Sequence, residues 1–555
     1  MTEEPKAIDV PWDHPPQREI HIIMPATKRD MNMCKTLMTM TILGYPTPRI
    51  VAWGDGDDSE GLVGGGSHYS KITKTLEFLD DEQRRSSRPG FEDELVFMID
   101  SYDIWFQLPV HTLIDRYHAI VKEENERVRH RMGHKAYDRE RINSQIVFGA
   151  GKRCAPNQMQ SIACYPVPDS PLPRDIHGGA TDTVLGRTRW TSHRTRYLNS
   201  GYIIGPVNQV RAMLRRAQLK LGECAGRERA DFDDGSGSTG FCYRGSDQSI
   251  FVEMFGEQEF QREIMRRHHR SAYDDYLDGM IPNRAGARPA TTFIENVPVD
   301  DLLDPGFPHQ ENDTSYDPGK PHEYGIALDY WSALGHQTMH AERDFRYIRH
   351  DRPVEEQFHG EGGMFDCKNM KAPFPADLPR GTSLNLLRGE IQGGDEGKEE
   401  VGWEALPLFH EVCVGTAPVM LHHNSVDKRQ REAQWDRTWW HGHSRNLLAK
   451  RRELGAPQLI EGIPVEGGDT LTWEELCPSE YDAELFRDVP FPTTTTSTTA
   501  TTTTETSDTG AATSPEAAAT TGEAPPTDGS ITKELHKSDE EALHALEEIE
   551  IAIET

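Results

Sequence analysis

The chain has 555 residues, with 91 acidic side chains against 60 basic ones and a formal net charge of −31. So acidic a field excludes nucleic acid or an anionic membrane as a partner held by overall charge, and an anionic substrate would need local basic groups or a metal ion. No apolar run reaches the ~18 residues of a transmembrane helix, and the polar start, MTEEPKAIDVPWDHPPQREI, lacks the basic head and apolar core of a signal peptide. Taken alone, that start points to the cytosol.

Strand and helix patterns alternate from the beginning. Ile20–Met24 is a short apolar strand ended by Pro25; Met33, Leu37, Met40 and Leu43 follow at helical spacing, and Gly44-Tyr45-Pro46 stops that helix. Ile50–Trp53 reads as a second strand running into Gly54-Asp55-Gly56. Ile72, Leu76 and Leu79 mark a second helix, and Leu95–Asp100 a strand rich in branched and aromatic residues. Val110, Leu113, Ile114 and Tyr117 mark a third helix, and Ile146–Ala150 the next strand. This order predicts an α/β fold with a mainly parallel sheet covered by helices, in which ligands bind beyond the carboxyl ends of the strands. Asp100 stands at such an end.

The middle is less regular. Gly222–Gly245 and Met280–His322 read as loops rich in Gly, Pro and charge, and later strands are expected at Gly325–Trp331 and Ala417–His423. Residues 492–531 are Thr-dominated and cannot bury enough surface to fold, so they read as a disordered linker. Such a composition also suits an O-glycosylated stalk in a secreted protein. Ser538-Asp539-Glu540-Glu541 is a capping box, and Ala542, Leu546, Ile549 and Ile553 then share one face of a short amphipathic helix over 532–555. Docking on the core and binding a partner are both open for it.

The eight cysteines, Cys34, Cys154, Cys164, Cys224, Cys242, Cys367, Cys413 and Cys477, contain no Cys-x-x-Cys pair, so zinc-ribbon and thioredoxin-like readings fail. Scattered buried thiols are the expected state, with one or two disulfides as the alternative in an oxidising compartment.

Five segments carry candidate chemistry. In Asp100-Ser101-Tyr102-Asp103, two carboxylates at a strand end can share one hard cation and leave positions for phosphate oxygens; the competing reading is a capped turn. Val63-Gly64-Gly65-Gly66, with Lys71 shortly after, permits close backbone approach to an anion or a base, and equally forms a flexible loop. Asn199 and Ser200 in Tyr197-Leu198-Asn199-Ser200-Gly201 can hydrogen-bond sugar hydroxyls, or the segment is a strand with a bulge at Gly201. Asp247 and Gln248 head an apolar helix that Ser246 or Asp247 would cap. His422 and His423 end an apolar strand, with Lys428 close behind; imidazole is a good ligand for a divalent metal, and His441 and His443 keep a separate His-rich site in view.

In this order the segments resemble the glycosyltransferase domain of the procollagen lysine hydroxylase/glycosyltransferases, and more loosely the collagen galactosyltransferases and related fungal proteins. Ala26-Thr27-Lys28 resembles the family's first strand and turn, and Trp53 stands where the family stacks the uracil ring. Val63–Gly66 resembles its V-G-G-G. Phe97-Met98-Ile99-Asp100-Ser101-Tyr102-Asp103 resembles its metal-binding F-x-D-S-Y-D with one extra residue. Phe148-Gly149-Ala150 with Cys154-Ala155-Pro156-Asn157, Tyr197–Gly201, Asp247-Gln248 and His422-His423-Asn424 follow in register with its later motifs.

The resemblance covers about residues 20–445. It implies a GT-A fold over 15–460, with 461–491 as an extension of the core, and transfer of a hexose from a UDP-sugar to a hydroxyl-bearing protein or glycan with retention. It implies Mn²⁺ on Asp100, Asp103 and His422. It also implies nucleotide contacts from Trp53, Val63, Gly64, Gly65, Gly66, Tyr102 and Lys428, and sugar contacts from Asn199, Asp247 and Gln248. It suggests the lumen of the ER or Golgi. The departures are Ser246 for an Asp, Ala155 for a Trp and His423 for a Gly, with 280–312 and 360–401 as insertions. A non-catalytic nucleotide-sugar binder and a sugar-phosphate nucleotidyltransferase are the rival readings, the latter disfavoured because Pro25-Ala26-Thr27-Lys28-Arg29-Asp30 lacks glycine.

Overall fold

The computed structural model describes residues 20–55, 67–85, 90–157, 161–183, 190–231, 246–278, 280–281, 283–287, 322–358, 367–381, 401–425 and 428–487. All lie in the first of two units, Met1–Val489; the second, Pro490–Thr555, lies outside the described residues, and with it the expected Thr-rich linker and terminal helix. Val63–Gly66 and most of the expected insertions also lie outside them.

The protein is mixed α/β with a mostly parallel central sheet. The first half runs β1 (Ile20–Pro25), α1 (Met31–Ile42), β2 (Arg49–Val51), α2 (Ser67–Arg85), β3 (Leu95–Ile99), β4 (Ile104–Phe106), α3 (Val110–Met132), α4 (His134–Glu140) and β5 (Ile146–Gly151). Then come β6 (Tyr197–Pro206), α5 (Val207–Asp231), α6 (Asp247–His268), α7 (Ala272–Asp278) and β7 (Ile326–Asp329). The sheet order is β2-β1-β3-β6-β5-β7. Its β1–β2, β1–β3 and β5–β7 pairs are parallel, while β6 is antiparallel to both of its neighbours.

Strand β3 is buried throughout, as a central strand covered on both faces must be. Successive side chains point to opposite faces. Leu95, Phe97 and Ile99 join one core with α1 and α3, and Val96 and Met98 join the other with α2, α5 and α6.

Several expectations need correction. The second strand stops at Val51, because Ala52 takes a positive φ of 63° and Trp53 enters the turn. The loop expected from Gly222 begins later, since α5 continues to Asp231. The expected strands at Gly325–Trp331 and Ala417–His423 are shorter, at β7 and at the segment Met420–His422. The cysteines expected as separate thiols pair instead: Cys34–Cys477, Cys154–Cys164 and Cys367–Cys413 are disulfides, and no free cysteine occurs among the described residues.

The next strands are β8 (Gly335–Gln337), β9 (Phe345–Ile348), β10 (Leu408–Glu411) and β11 (Met420–His422). A small sheet of order β4-β11-β8 stands at the carboxyl end of β3. The described residues close with α8 (Lys428–Trp435), α9 (Ser444–Glu453), α10 (Pro457–Ile460), β12 (Ile463–Pro464), β13 (Thr470–Leu471), α11 (Trp473–Leu476) and α12 (Asp482–Phe486). This last stretch packs back on the first core through Trp473, Leu476, Leu485 and Phe486, and Cys477 ties it to Cys34 of α1. Among the described residues no helix is long and apolar enough to cross a membrane.

Candidate metal centre

Asp100, Ser101, Tyr102 and Asp103 form the short connection from β3 to β4. Its backbone is fixed on both sides: Asp100 N donates to Gly201 O at 2.8 Å, and His423 N donates to Asp103 O at 2.7 Å. Ser101 Oγ donates to Pro25 O at 2.7 Å, anchoring the turn to the end of β1. The third member arrives on β11, where His422 pairs with Ile104 of β4 and with Gln337 of β8. Asp100, Asp103 and His422 thereby offer ligand atoms all within 4.8 Å of one another. His422 Nε2 stands 3.6 Å from Asp100 Oδ2 and 3.6 Å from Asp103 Oδ1.

The donor set suits a divalent cation. Asp103 Oδ1 and His422 Nδ1 are buried without a hydrogen-bond partner. Burial pushes the Asp100 carboxyl up against the pull of Lys71, and the nearby Asp103 charge adds to that push. Burial opposes the Asp103 charge too, but His422 and Lys428 overcome it and hold that carboxyl well below the usual range. Two close carboxylates with an orphaned oxygen are what an added cation would relieve. Asp100 is 36% exposed at its side chain, so the cluster is reachable from solvent.

His423 turns the other way, as alternation along an extended chain requires. Its ring lies 4.0 Å from that of Trp105, inside the core, so its bulk does not enter the cluster.

Strand β6 supplies the floor. Its pairing with β5 jumps from Phe148↔Ile203 to Gly149↔Asn199, leaving Ser200–Tyr202 out of that ladder. This is the bulge expected at Gly201. Asn199 Oδ1 accepts from Gly201 N at 2.9 Å, and its amide nitrogen donates to Gln248 Oε1 at 2.9 Å. Gln248 Nε2 in turn donates to Ala155 O at 2.5 Å. Asn199 and Gln248 therefore brace one another between β6, α6 and the loop at Ala155.

Ser246, not Asp247, caps α6, accepting from Ser249 N at 3.3 Å. Asp247 is thus free to face the cluster from the first turn. Its Oδ2 accepts from Ser200 Oγ at 3.0 Å and lies 3.2 Å from Lys71 Nζ, while its Oδ1 is 3.5 Å from His68 Nδ1. Burial works against its charge, yet Lys71 and His68 hold it well below the usual carboxylate range.

Lys71, which the sequence places beside Val63–Gly66 without giving it a role, is the hub. Its ammonium donates to Asp100 Oδ1 at 2.7 Å and to Ser200 O at 2.6 Å, and Asp100 and Asp247 keep it protonated despite burial. The signal was present: Lys71, Ile72, Thr75, Leu76 and Leu79 form the buried stripe of α2, so a lysine sits where an apolar residue is ordinary.

Of the other nucleotide candidates, Val63–Gly66 lie outside the described residues, Trp53 follows β2, and Tyr102 and Lys428 lie beside Asp103. Trp53 is half-buried against the first core, next to a turn closed by Gly54 N on Thr27 O at 2.9 Å. The Tyr102 hydroxyl donates to Lys28 O at 3.0 Å, and Arg431 of α8 donates to Tyr102 O at 3.2 Å. Lys428 opens α8 and is exposed. His441 and His443 form a short helical turn and join no metal-type cluster among the described residues. No known protein family and no curated protein matches this chain.

Proposed function

We propose that the chain is a metal-dependent glycosyltransferase of the GT-A type, related to the glycosyltransferase domain of the procollagen lysine hydroxylase/glycosyltransferases. It moves a hexose from a UDP-sugar to a hydroxyl of a protein or glycan acceptor, with retention. The observation that carries this reading is the convergence of Asp100, Asp103 and His422, from distant parts of the chain, into one set of ligand atoms within 4.8 Å.

A bound Mn²⁺ would offset charge on the departing diphosphate. The chain's own groups divide the remaining work. Lys71 holds one oxygen of Asp100, leaving Oδ2 turned toward His422. Asp247, fixed by Ser200 and Lys71, keeps a negative charge beside the donor sugar, where positive charge develops as the glycosidic bond breaks. Asn199 and Gln248 hold the sugar-facing wall, Trp53 offers a ring for uracil, and Lys428 an ammonium for phosphate. With its hydroxyl occupied, Tyr102 contributes its ring. The disulfides among the described residues support an oxidising compartment.

The test is UDP release from a panel of UDP-sugars with Mn²⁺, with and without Asp103→Ala. Activity that survives Asp103→Ala unchanged removes the metal assignment. Calorimetric binding of UDP and Mn²⁺ without any turnover leaves a nucleotide-sugar binder instead.

A further inference from the structure

Near the first site, a small cavity of about 30 Å³ lies between the end of β5 and the segments around β8 to β10. It is lined by a second group of ligand-type residues, His177, Asp344 and Cys413, all buried. An imidazole nitrogen, a carboxylate oxygen and a sulfur from these three lie within 4.8 Å of one another. Nothing in the proposed transfer uses them. The Cys413 sulfur, however, is bonded to Cys367. A disulfide sulfur is not the thiolate that a borderline-soft cation takes.

We propose that His177, Asp344 and Cys413 form a redox-gated site for Zn²⁺ or a similar cation, closed by the Cys367–Cys413 disulfide and opened by its reduction. This inference does not depend on the glycosyltransferase reading. A dithiol reductant gives up two electrons and two protons; the Cys367–Cys413 bond breaks, both sulfurs become thiols, and the reductant becomes a disulfide. The Cys413 thiol then releases its proton to solvent as the cation takes the thiolate. Sulfur, nitrogen and oxygen from three residues leave a fourth tetrahedral position for water.

The scaffold around the site does not rely on the disulfide. Cys413 N and Val414 N donate to the Glu411 carboxylate at 3.0 and 2.9 Å. Val412 N donates to Asp344 O at 2.6 Å, joining the turn that carries Cys413 to the backbone of Asp344. Lys368 N donates to Ile176 O at 2.7 Å, beside His177. Lys152 Nζ holds Asp344 Oδ2 at 2.5 Å and Thr191 O at 2.6 Å, so it can yield the carboxylate to a cation while keeping a partner.

The test uses the full chain with Cys367→Ser, kept oxidised so that the other disulfides stay closed. Titration with Cd²⁺ is expected to give one thiolate-to-metal charge-transfer band in the ultraviolet, displaced by Zn²⁺ and absent from the oxidised wild type. Adding His177→Ala should weaken binding at least about tenfold. A folded Cys367→Ser chain without the band, or a band indifferent to His177→Ala, overturns the proposal. Should Cys367→Ser fail to fold, mild dithiol treatment of the wild type replaces it. Zn²⁺ is then expected to protect Cys413, and not Cys367, from iodoacetamide; equal alkylation of both overturns the proposal.

Discussion

Gly201 and His422 occupy one space: a Cβ on residue 201 would stand 2.0 Å from His422 Cε1, 2.5 Å from its Nδ1 and 2.7 Å from its Nε2. The missing side chain on the β6 bulge is what lets the imidazole lie over the strand and face Asp100 and Asp103. Gly201→Ala must therefore push His422 out of the cluster. Overpacking of this kind costs about 1–3 kcal/mol in stability. The expected result is a folded chain whose Mn²⁺ affinity falls at least about tenfold, read by calorimetric titration. Unchanged Mn²⁺ affinity would separate His422 from the metal.

Lys71 is buried between two carboxylates, and its loss leaves Asp247 buried without its main cation. Breaking a buried pair on one side costs about 3–5 kcal/mol; the solvent-reachable Asp100 lowers the expectation for Lys71→Met to about 2–3 kcal/mol. An added divalent cation restores part of the missing charge beside Asp100. Melting curves should show a drop of several degrees that Mn²⁺ narrows in the variant more than in the wild type. An unshifted melting temperature would mean that the ion pairs contribute nothing.

Much of the site was legible because it is local. A fully apolar Leu95–Ile99 followed by Asp100 announces a central strand with a carboxylate at its end, and the α2 periodicity is plain even with Lys71 on its buried stripe. Strand direction was not legible. Tyr197–Pro206 reads as a strand either way round, and only its partners β3 and β5 make it antiparallel. The apolar run alone does not separate His422 from His423, since both follow it, and only the resemblance selects His422; the pairing of β11 with β4 and β8 decides which one faces Asp103. Cys34 and Cys477 meet across a separation of 443 residues, which no local pattern encodes.

Acid should destabilise the protein well above the carboxylate range. Burial pushes the His336 imidazole down to about 4 and that of His410 to about 3, each helped by a nearby cationic group. In the unfolded chain both return to about 6.5. Folded protein keeps them neutral, so below pH 6.5 the unfolded state binds more protons and stability falls until the folded values are reached. The window runs from about pH 6.5 to 4 for His336 and to about 3 for His410, and each unit of separation is worth about 1.4 kcal/mol. Urea midpoints measured from pH 8 to 4 should fall across that window, though by less than the two imidazoles alone would give, because burial pushes the Glu411 carboxyl up to about 8 and its protonation in the folded state opposes the loss; His336→Leu with His410→Leu should flatten the fall. The low-lying carboxyls of Asp103 and Asp247 add their own loss only below about pH 4. A midpoint constant down to pH 4 would rule out neutral buried imidazoles as the cause.

Lys35 is the instructive contrast with Lys71. It too is fully buried, with Nζ 2.6 Å from Glu432 Oε2, 3.3 Å from Glu484 Oε1 and 5.0 Å from the centre of the Trp435 ring. Its two acids, however, are each 33% exposed and share a second cation: Arg487 bonds Glu432 at 3.1 Å and also pairs with Glu484. Lys35→Met keeps an apolar stem against Trp435 and strands no carboxylate. The ammonium's desolvation disappears together with its attractions, so the net change should be about 1 kcal/mol or less in either direction. Although Lys35 also lies 5.9 Å from the Trp105 ring, which itself packs on His423, Mn²⁺ affinity should stay as in the wild type. Parallel melts of the two methionine variants give the comparison directly. A loss for Lys35→Met as large as that for Lys71→Met would show that Arg487 does not serve both acids.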